Sequence, residues 1–257
     1  MPPYGDPPRD AFATRSAFVT GGGSGIGAAV AERLAAAGAT VAVADIDLGS
    51  ALATVGRIRA AGGEALALRV DVAEPDSVDE AFDAALAAFG GLNHAVNSAG
   101  IGASPRLIAD VSVKEWRDVM DVDLNGVFYC MRREIPPLVA AGGGSIVNIS
   151  SLAGERACPL MGPYIAAKHG LLGLTRTAAL EYGHAGVRVN AVAPGPVDTP
   201  LLAGLDDATR AVWAAAHPLG RMGRAADVAA VTVFLLSDRA SMLSGVHHAV
   251  DGGLGLL

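Results

Sequence analysis

Short runs rich in Val and Ala alternate with longer stretches of helical periodicity over nearly the whole chain. The short runs fall at 17–20, 40–45, 64–70, 93–97, 145–150, 187–192 and 246–250. None has the strict apolar–polar alternation of a half-exposed strand, so each reads as a strand covered on both faces. The stretches between them carry helix ends. Gly38, Gly62, Gly90 and Gly183 each follow a helical run, where a left-handed residue closes the last turn. Pro75, flanked by Glu74 and Asp76, opens another helix, and Ser112 with Glu115 makes a capping box. Repeated strand–helix–strand units call for right-handed crossovers and a parallel sheet. The pattern therefore predicts an α/β fold, a doubly wound parallel sheet of about seven strands with helices on both faces. A single domain over residues 15–257 is expected, after a flexible Pro-rich tail at 1–14. In such sheets ligands bind at the carboxyl ends of the strands, where strand order reverses. That rule gathers the loops after Thr20, Asp45, Val70, Asn97, Ser150 and Val192 around a single crevice.

Composition narrows the class. With 51% hydrophobic and 18% charged residues, the 257-residue chain can bury a sizeable core. A net charge of −7 without a basic cluster argues against nucleic acid as a partner. Two cysteines, Cys130 and Cys158, are too few for a disulfide scaffold and suit a reducing compartment. The N-terminus lacks the apolar core of a signal peptide, and no apolar run approaches the ~20 residues that span a bilayer. A soluble cytoplasmic protein acting on a small molecule, away from any membrane, is the expectation.

Candidate chemistry sits in the predicted loops. Thr20-Gly21-Gly22-Gly23-Ser24-Gly25-Ile26-Gly27 lies between the first strand and the first helix. Its glycines let the backbone turn tightly and approach a pyrophosphate, whose charge suits the free N–H groups of a helix start. Asp45 ends the second strand, where a carboxylate can accept both hydroxyls of an adenosine ribose and repel a 2′-phosphate. NAD is expected over NADP on that charge; Asp47 reads as a solvated acid. Tyr164 and Lys168, four apart, share one helix face. A neighbouring ammonium favours an ionised phenol, which equips Tyr164 to exchange a proton at a carbinol or carbonyl oxygen. Ser151 follows the fifth strand, placed to bring a hydroxyl beside that phenol.

Together these motifs resemble the short-chain dehydrogenase/reductase family in its single-domain form. The match runs over residues 16–253. Thr20 to Gly27 is similar to the family's cofactor loop, and Asn97-Ser98-Ala99-Gly100 resembles its Asn-Asn-Ala-Gly turn, with serine in second place. Ser151, Tyr164 and Lys168 match its catalytic trio in type, order and spacing. Asn190 to Pro200, NAVAPGPVDTP, resembles the segment that holds the nicotinamide carboxamide. The resemblance implies a Rossmann-like fold with Tyr164 as general acid/base, Lys168 on the nicotinamide ribose and Ser151 on the substrate oxygen. It implies cofactor contacts from Gly21, Ser24, Gly25, Ile26 and Gly27, and from Asp71 and Val72 near the adenine. Asn97, Ala99 and Gly100 would lie near the ribose, with Asn97 also holding the central strands. Pro194, Gly195, Val197 and Thr199 would meet the carboxamide.

One position departs from the family. In place of Val-Asn-Leu-x-Gly-x-Phe, in a long fourth helix, the chain reads Val122-Asp123-Leu124-Asn125-Gly126-Val127-Phe128. Asp123 thus takes the place of a catalytic asparagine, and Asn125, two steps on, faces the far side of a helix. Asp123 is expected to serve the proton relay as a workable variant. No metal is expected: His247 and His248 point to opposite faces of a strand, and His169 has no partner cluster. Cys158 has no evident base and reads as a packing or pocket-wall residue rather than a nucleophile.

The expected function is hydride transfer between NAD and a secondary alcohol or ketone. The pocket stretches at 152–163 and 201–220, the second within a substrate loop near 197–220, are largely apolar, which points to an apolar or alicyclic substrate. Glu155 and Arg156 are their charged exceptions. The alternatives are an NADPH-dependent 3-oxoacyl-carrier reductase and a dinucleotide-binding protein without catalysis. By resemblance a homotetramer or dimer is expected, with the apolar 253–257 run at a subunit contact or frayed.

Overall fold

The computed structural model describes residues 7–256. The strands are β1 (Ser16–Thr20), β2 (Thr40–Asp45), β3 (Glu64–Arg69), β4 (His94–Asn97), β5 (Gly144–Ile149), β6 (Val187–Pro194), β7 (Val197–Asp198), β8 (Gly223–Arg224) and β9 (His247–Val250). The helices are α1 (Gly25–Ala36), α2 (Leu48–Ala60), α3 (Pro75–Phe89), α4 (Val113–Met120), α5 (Gly126–Ala140), α6 (Gly162–Tyr182), α7 (Asp207–Ala216) and α8 (Ala225–Leu236). Seven strands form one parallel sheet in the order β3-β2-β1-β4-β5-β6-β9, and β7 pairs with β8 in a small sheet of its own. Strand order reverses between β1 and β4, which locates the crevice above their carboxyl ends.

The missing alternation in the strands has a direct cause. In β1, Ala17 and Val19 join the core under α1, α2 and α8, while Phe18 faces the core under α3, α5 and α6. In β2, Val41 and Val43 take the first side, Ala42 and Ala44 the second. Both faces are dry, so both sets must be apolar. Phe18 stacks on Phe82 of α3 with ring centroids 4.0 Å apart, which ties that helix to the sheet.

Three local expectations change. Gly183 is right-handed, with φ −58°, because the chain adds a short 3-10 turn over Gly183–Ala185 before reversing at Gly186, with φ 78°. The tail ends earlier than residue 14: Phe12 is fully buried and its N–H donates to Ala37 O at 2.9 Å. A benzyl group that can reach the core gains more from burial than the turn around it loses in entropy. Residues 1–6 of that tail lie outside the described residues. The long fourth helix is divided into α4 and α5 by a π-helical turn, Asp121–Asn125.

Helix ends otherwise follow their residues. Pro75 opens α3, and Ser112 Oγ accepts from Glu115 N at 3.1 Å. Glu115 does not complete the box; its Oε1 accepts from Ser104 N at 2.8 Å instead. Asp47 is the N-cap of α2, accepting from Gly49 N and Ser50 Oγ. The apolar C-terminal run forms a 3-10 turn, Leu254–Leu256, held by Asp251, which accepts from Gly253 N and Gly255 N.

Candidate active site

Two clusters meet above the reversal between β1 and β4. The first is a cradle. Gly21 turns with φ 61°, and a side-chain carbon there would fall 2.9 Å from Ala99 Cα. A carbon on Gly27 would overlap the carbonyl oxygen of Gly21. Only glycine lets the turn and the helix start close on each other in this way. Ser24 is the N-cap of α1 but its side chain makes no capping bond, and the first turn carries no acidic residue. Free N–H groups at an unopposed helix start suit an anion.

Asp45 closes one side. Its Oδ2 accepts from Gly23 N at 2.9 Å and its Oδ1 from Asp47 N at 3.0 Å. The carboxylate is therefore fixed against the Gly-rich turn at the end of β2. Thr199 closes another, since a carbon on Gly25 would lie 3.4 Å from Thr199 Cβ. Val197 is buried in β7, Pro194 ends β6, and Gly195 N donates to Val250 O at 3.2 Å. Thr199 and Pro200 at the end of this segment thus lie against the start of α1. Asp71 accepts from Ala73 N at 3.0 Å, and Val72 is buried beneath the start of α5. Ile26 packs on the core under α1. A glycine-walled concavity, a helix start and a fixed carboxylate fit a dinucleotide.

The second cluster surrounds Lys168. Its Nζ lies 3.3 Å from Ile149 O, 3.2 Å from Asp123 Oδ2 and 5.5 Å from the centre of the Tyr164 ring. The ammonium is buried and Asp123 fully so. The 3.2 Å Asp123 contact is a buried ion pair. Burial opposes the Lys168 charge, but Asp123 and then Tyr164 more than offset it and raise the Lys168 pKa above its ordinary value. Asp123 Oδ1 accepts from Ile101 N at 2.7 Å, so one carboxylate joins the loop after β4 to the ammonium on α6. The π-helical turn is what aims Asp123 inward. Asn125 faces away and donates to Asp121 Oδ1 at 2.8 Å.

The two clusters share a wall, residues 98–100. Thr20 Oγ1 accepts from Ser98 N at 3.1 Å and Ala99 N at 3.2 Å. A carbon on Gly100 would lie 3.4 Å from Asp123 Oδ2 and 3.6 Å from Lys168 Nζ. Asn97 itself turns inward, donating from Nδ2 to Asn148 Oδ1 at 2.9 Å and to Glu134 Oε2 at 3.1 Å. Ser151 lies two residues beyond β5 and caps a 3-10 turn, where its Oγ accepts from Ala153 N at 3.2 Å. That leaves its O–H free to donate.

Nothing in the sequence marked the loop at 101–110, which packs against the start of α6. Arg106 N donates to Leu160 O at 3.0 Å, and a carbon on Gly162 would lie 3.5 Å from Ile108 Cγ1. Leu160 adopts φ 69°, a left-handed conformation that costs a branched side chain energy and is held by this bond. Glu155 points outward, pairing with His247 Nδ1 at 2.8 Å and Arg176 at 3.6 Å. His217, just after α7, is buried against Gly195 and Gly252, where it docks the segment that follows α7 onto the body. No pattern in the chain marks these pairings, because each joins segments far apart in sequence. Among the described residues no group of three or more His, Cys, Asp or Glu could hold a metal ion, and no helix is long and apolar enough to cross a membrane.

Comparison with known proteins places the chain. A family model described as enoyl-(acyl carrier protein) reductase matches residues 21–255. The chain is 45% identical over 241 residues to cyclohexanol dehydrogenase of Acinetobacter sp. (strain SE19), covering 94% of this chain and 95% of that one. It is 46% identical over 245 residues to cis-4-hydroxycyclohexanecarboxylate dehydrogenase of Sinomonas cyclohexanicum, covering 95% and 98%. Among solved structures, 3-ketoacyl-(acyl-carrier-protein) reductase from Brucella melitensis complexed with NADH superposes with a TM-score of 0.88 at 34% identity, covering 95% of this chain and 99% of that one.

Proposed function

The chain belongs to the short-chain dehydrogenase/reductase family, and on that premise we propose that it oxidises an alicyclic secondary alcohol to its ketone with NAD. The observation that carries this reading is the buried Lys168 ammonium beside the Tyr164 ring, walled from the glycine cradle only by residues 98–100. The relatives named for cyclohexane-ring alcohols favour an alicyclic substrate. So does the apolar character of Ile101, Ile108, Leu160 and Leu201, all exposed on the loops around the crevice.

NAD, when bound, would supply the hydride acceptor for the carbinol carbon. The protein handles the proton. Tyr164, as phenolate, takes it from the alcohol hydroxyl, while Ser151 donates its own O–H to the same oxygen and holds it in place. Lys168 stabilises the phenolate by charge, and Asp123 keeps that ammonium protonated despite its burial. Asp123 also fixes Ile101, and with it the start of the pocket wall. Gly21, Ser24, Gly25, Ile26 and Gly27 would hold the pyrophosphate, Asp71 and Val72 the adenine, and Asn97, Ala99, Gly100 and Lys168 the ribose. Pro194, Gly195, Val197 and Thr199 would hold the carboxamide. Following NADH absorbance with cyclohexanol and a panel of open-chain and cyclic secondary alcohols tests the reading. Failure to oxidise any of them, with both cofactors tried, would sink it.

Asp45 sets the cofactor preference. A 2′-phosphate at the end of β2 would meet this carboxylate at close range, a repulsion of about 1–4 kcal/mol between the limits of water and protein surface. NAD is therefore expected to outperform NADP by about fivefold or more in kcat/KM. Asp45→Ala narrows that ratio, and it also loosens the turn by releasing Gly23 N. Equal kcat/KM for the two cofactors in the unmodified protein would remove Asp45 from the ribose site.

We also propose a homo-oligomer, on the apolar groove between α5 and α6. It is lined by Phe128, Ile135, Val139, Leu174 and Tyr182. Sedimentation of a monomer at micromolar concentration would contradict it.

A further inference from the structure

Glu134 lies on α5, fully buried, and the proton transfer described above does not use it. Its Oε2 accepts from Asn97 Nδ2 at 3.1 Å. The same Asn97 amide donates to Asn148 Oδ1, Asn148 Nδ2 donates to Thr175 Oγ1 at 3.0 Å, and Thr175 donates to Leu171 O at 2.9 Å. Every donor in this chain points away from Asn97. Two buried acceptors are left without a donor among the described residues, Glu134 Oε1 and Asn97 Oδ1. Both belong to the same acid–amide pair. A carboxylic acid resolves the deficit, because its O–H can give Asn97 Oδ1 the donor it lacks while Asn97 Nδ2 keeps donating to Oε2. An ionised carboxylate leaves both oxygens bare.

The surroundings keep the proton in place. Burial pushes the Glu134 carboxyl up to about 8, and the opposing pull of the Asn97 hydrogen bond does not cancel it. Its bonded network reaches β4 through Asn97, β5 through Asn148 and α6 through Thr175, all uncharged. On α5 itself the Cys130 thiol is pushed well up by burial and then by Glu134, so it stays neutral. Arg132 and Arg133 of α5 are paired with Asp79 and Asp83 of α3, and Lys168 of α6 with Asp123. None of these ions moves the Glu134 proton.

We propose that Glu134 is a positioning residue that works as a neutral acid, pinning Asn97 and through it the 98–100 wall between the cofactor cradle and the Asp123–Lys168 pair. Asn97 is the residue before that wall, whose N–H groups are held by Thr20 and whose Gly100 faces both Asp123 and Lys168. A displacement of Asn97 therefore reaches both halves of the site within three residues. The proposal rests on reading the crevice as a dinucleotide site. As pH rises past about 8 the acid ionises, the Asn97 Oδ1 bond is lost, and a buried charge is left with no cation against it.

The test compares the unmodified protein with Glu134→Gln and Glu134→Leu, by NADH fluorescence titration and by thermal unfolding, between about pH 6.5 and about pH 9.5. Glutamine reproduces the protonated acid at every pH, with N–H for Asn97 Oδ1 and C=O for Asn97 Nδ2. At the lower pH the Gln variant is expected to bind NADH within about twofold of the unmodified protein. At the higher pH the unmodified protein binds roughly fivefold or more weakly than the Gln variant. Leucine strands the Asn97 amide and weakens NADH at both ends of the range.

The sign of the thermal arm follows from linkage. The folded protein holds the proton up to about 8 and the unfolded chain only to an ordinary carboxyl value, so stability falls as pH rises across that interval. Between about pH 6.5 and about pH 9.5 the unmodified protein should lose ~3 °C or more of Tm relative to the Gln variant, most of it below about 8. Parallel NADH affinities at all pH, or a Gln variant already weak at the lower pH, overturn the positioning role. A Tm difference without an affinity difference confines Glu134 to core stability and overturns it as well. If the unmodified protein fails to bind NADH at the lower pH, the dinucleotide reading falls instead. Parallel Tm curves then overturn the neutral acid independently.

Discussion

Replacing Tyr164 by phenylalanine is expected to lower turnover by about 100-fold or more while the protein stays folded. Phenylalanine keeps the ring, which packs 5.5 Å from the Lys168 ammonium, and removes only the hydroxyl. Tyr164 is partly exposed at the start of α6, so losing the hydroxyl leaves no buried polar group unpaired and Tm should change little. The proton must then leave to water, and the alcohol oxygen keeps only Ser151 to hold it. NADH affinity is a necessary control, since it should stay within a few-fold if the ring alone lines the nicotinamide side. Near-normal turnover in the phenylalanine variant, measured with saturating alcohol, would assign the proton transfer to another group.

A comparable loss is expected at Asp123, for a different reason. Asp123→Leu removes the carboxylate that sits 3.2 Å from Lys168 Nζ and accepts from Ile101 N. Both partners are then stranded, and an uncompensated buried charge costs about 3–5 kcal/mol. The ammonium answers by losing its proton more easily, because burial already pulls against its charge. Turnover should fall ~10-fold or more, Tm should drop, and the loss of turnover should ease at lower pH, where Lys168 regains its proton. Asp123→Asn is the informative companion. It keeps an oxygen for Ile101 N and removes only the charge, so Tm should fall less than in the leucine variant and most activity should survive near neutral pH. Unchanged turnover in the leucine variant would take Asp123 out of the relay.

Much of this architecture is legible in the residues. The glycines of the 21–27 turn have no other use before a helix start, since two of them sit where any side chain would collide with backbone. Tyr164 and Lys168 declare their shared face by spacing alone, because four residues on a helix return to the same side. The seven main strands all fall within two residues of their expected ends, the largest difference being the two residues by which Pro194 extends the sixth. Both-face burial makes these strands continuous apolar runs, which are easy to see and hard to mistake for surface. Gly183 was a fair expectation of a helix stop, but chain reversal was delegated to Gly186, which closes against Gly142 and Gly143. That choice depends on the backbone of a loop more than 40 residues earlier in the chain.

Sequence by itself determined what is local or periodic: the alternation of strand and helix, the glycine turn, the pairing of phenol and ammonium, and the presence of an acid at position 123. These follow from the geometry of one element or of one turn, and that geometry is fixed by a few neighbouring residues. Only the tertiary structure decided where that acid points. A π-helical turn interrupts what the pattern reads as one helix, and its extra residue rotates Asp123 onto Lys168 and Ile101. Tertiary structure likewise chose Glu134, which on the chain is an ordinary helix glutamate between Arg133 and Ile135. Its burial against Asn97 brings together residues 37 apart, and a proton held up to about 8 is the consequence of that enclosure. Charge and hydrogen-bonding capacity belong to the residue, but the dielectric around it and the partner it meets belong to the fold.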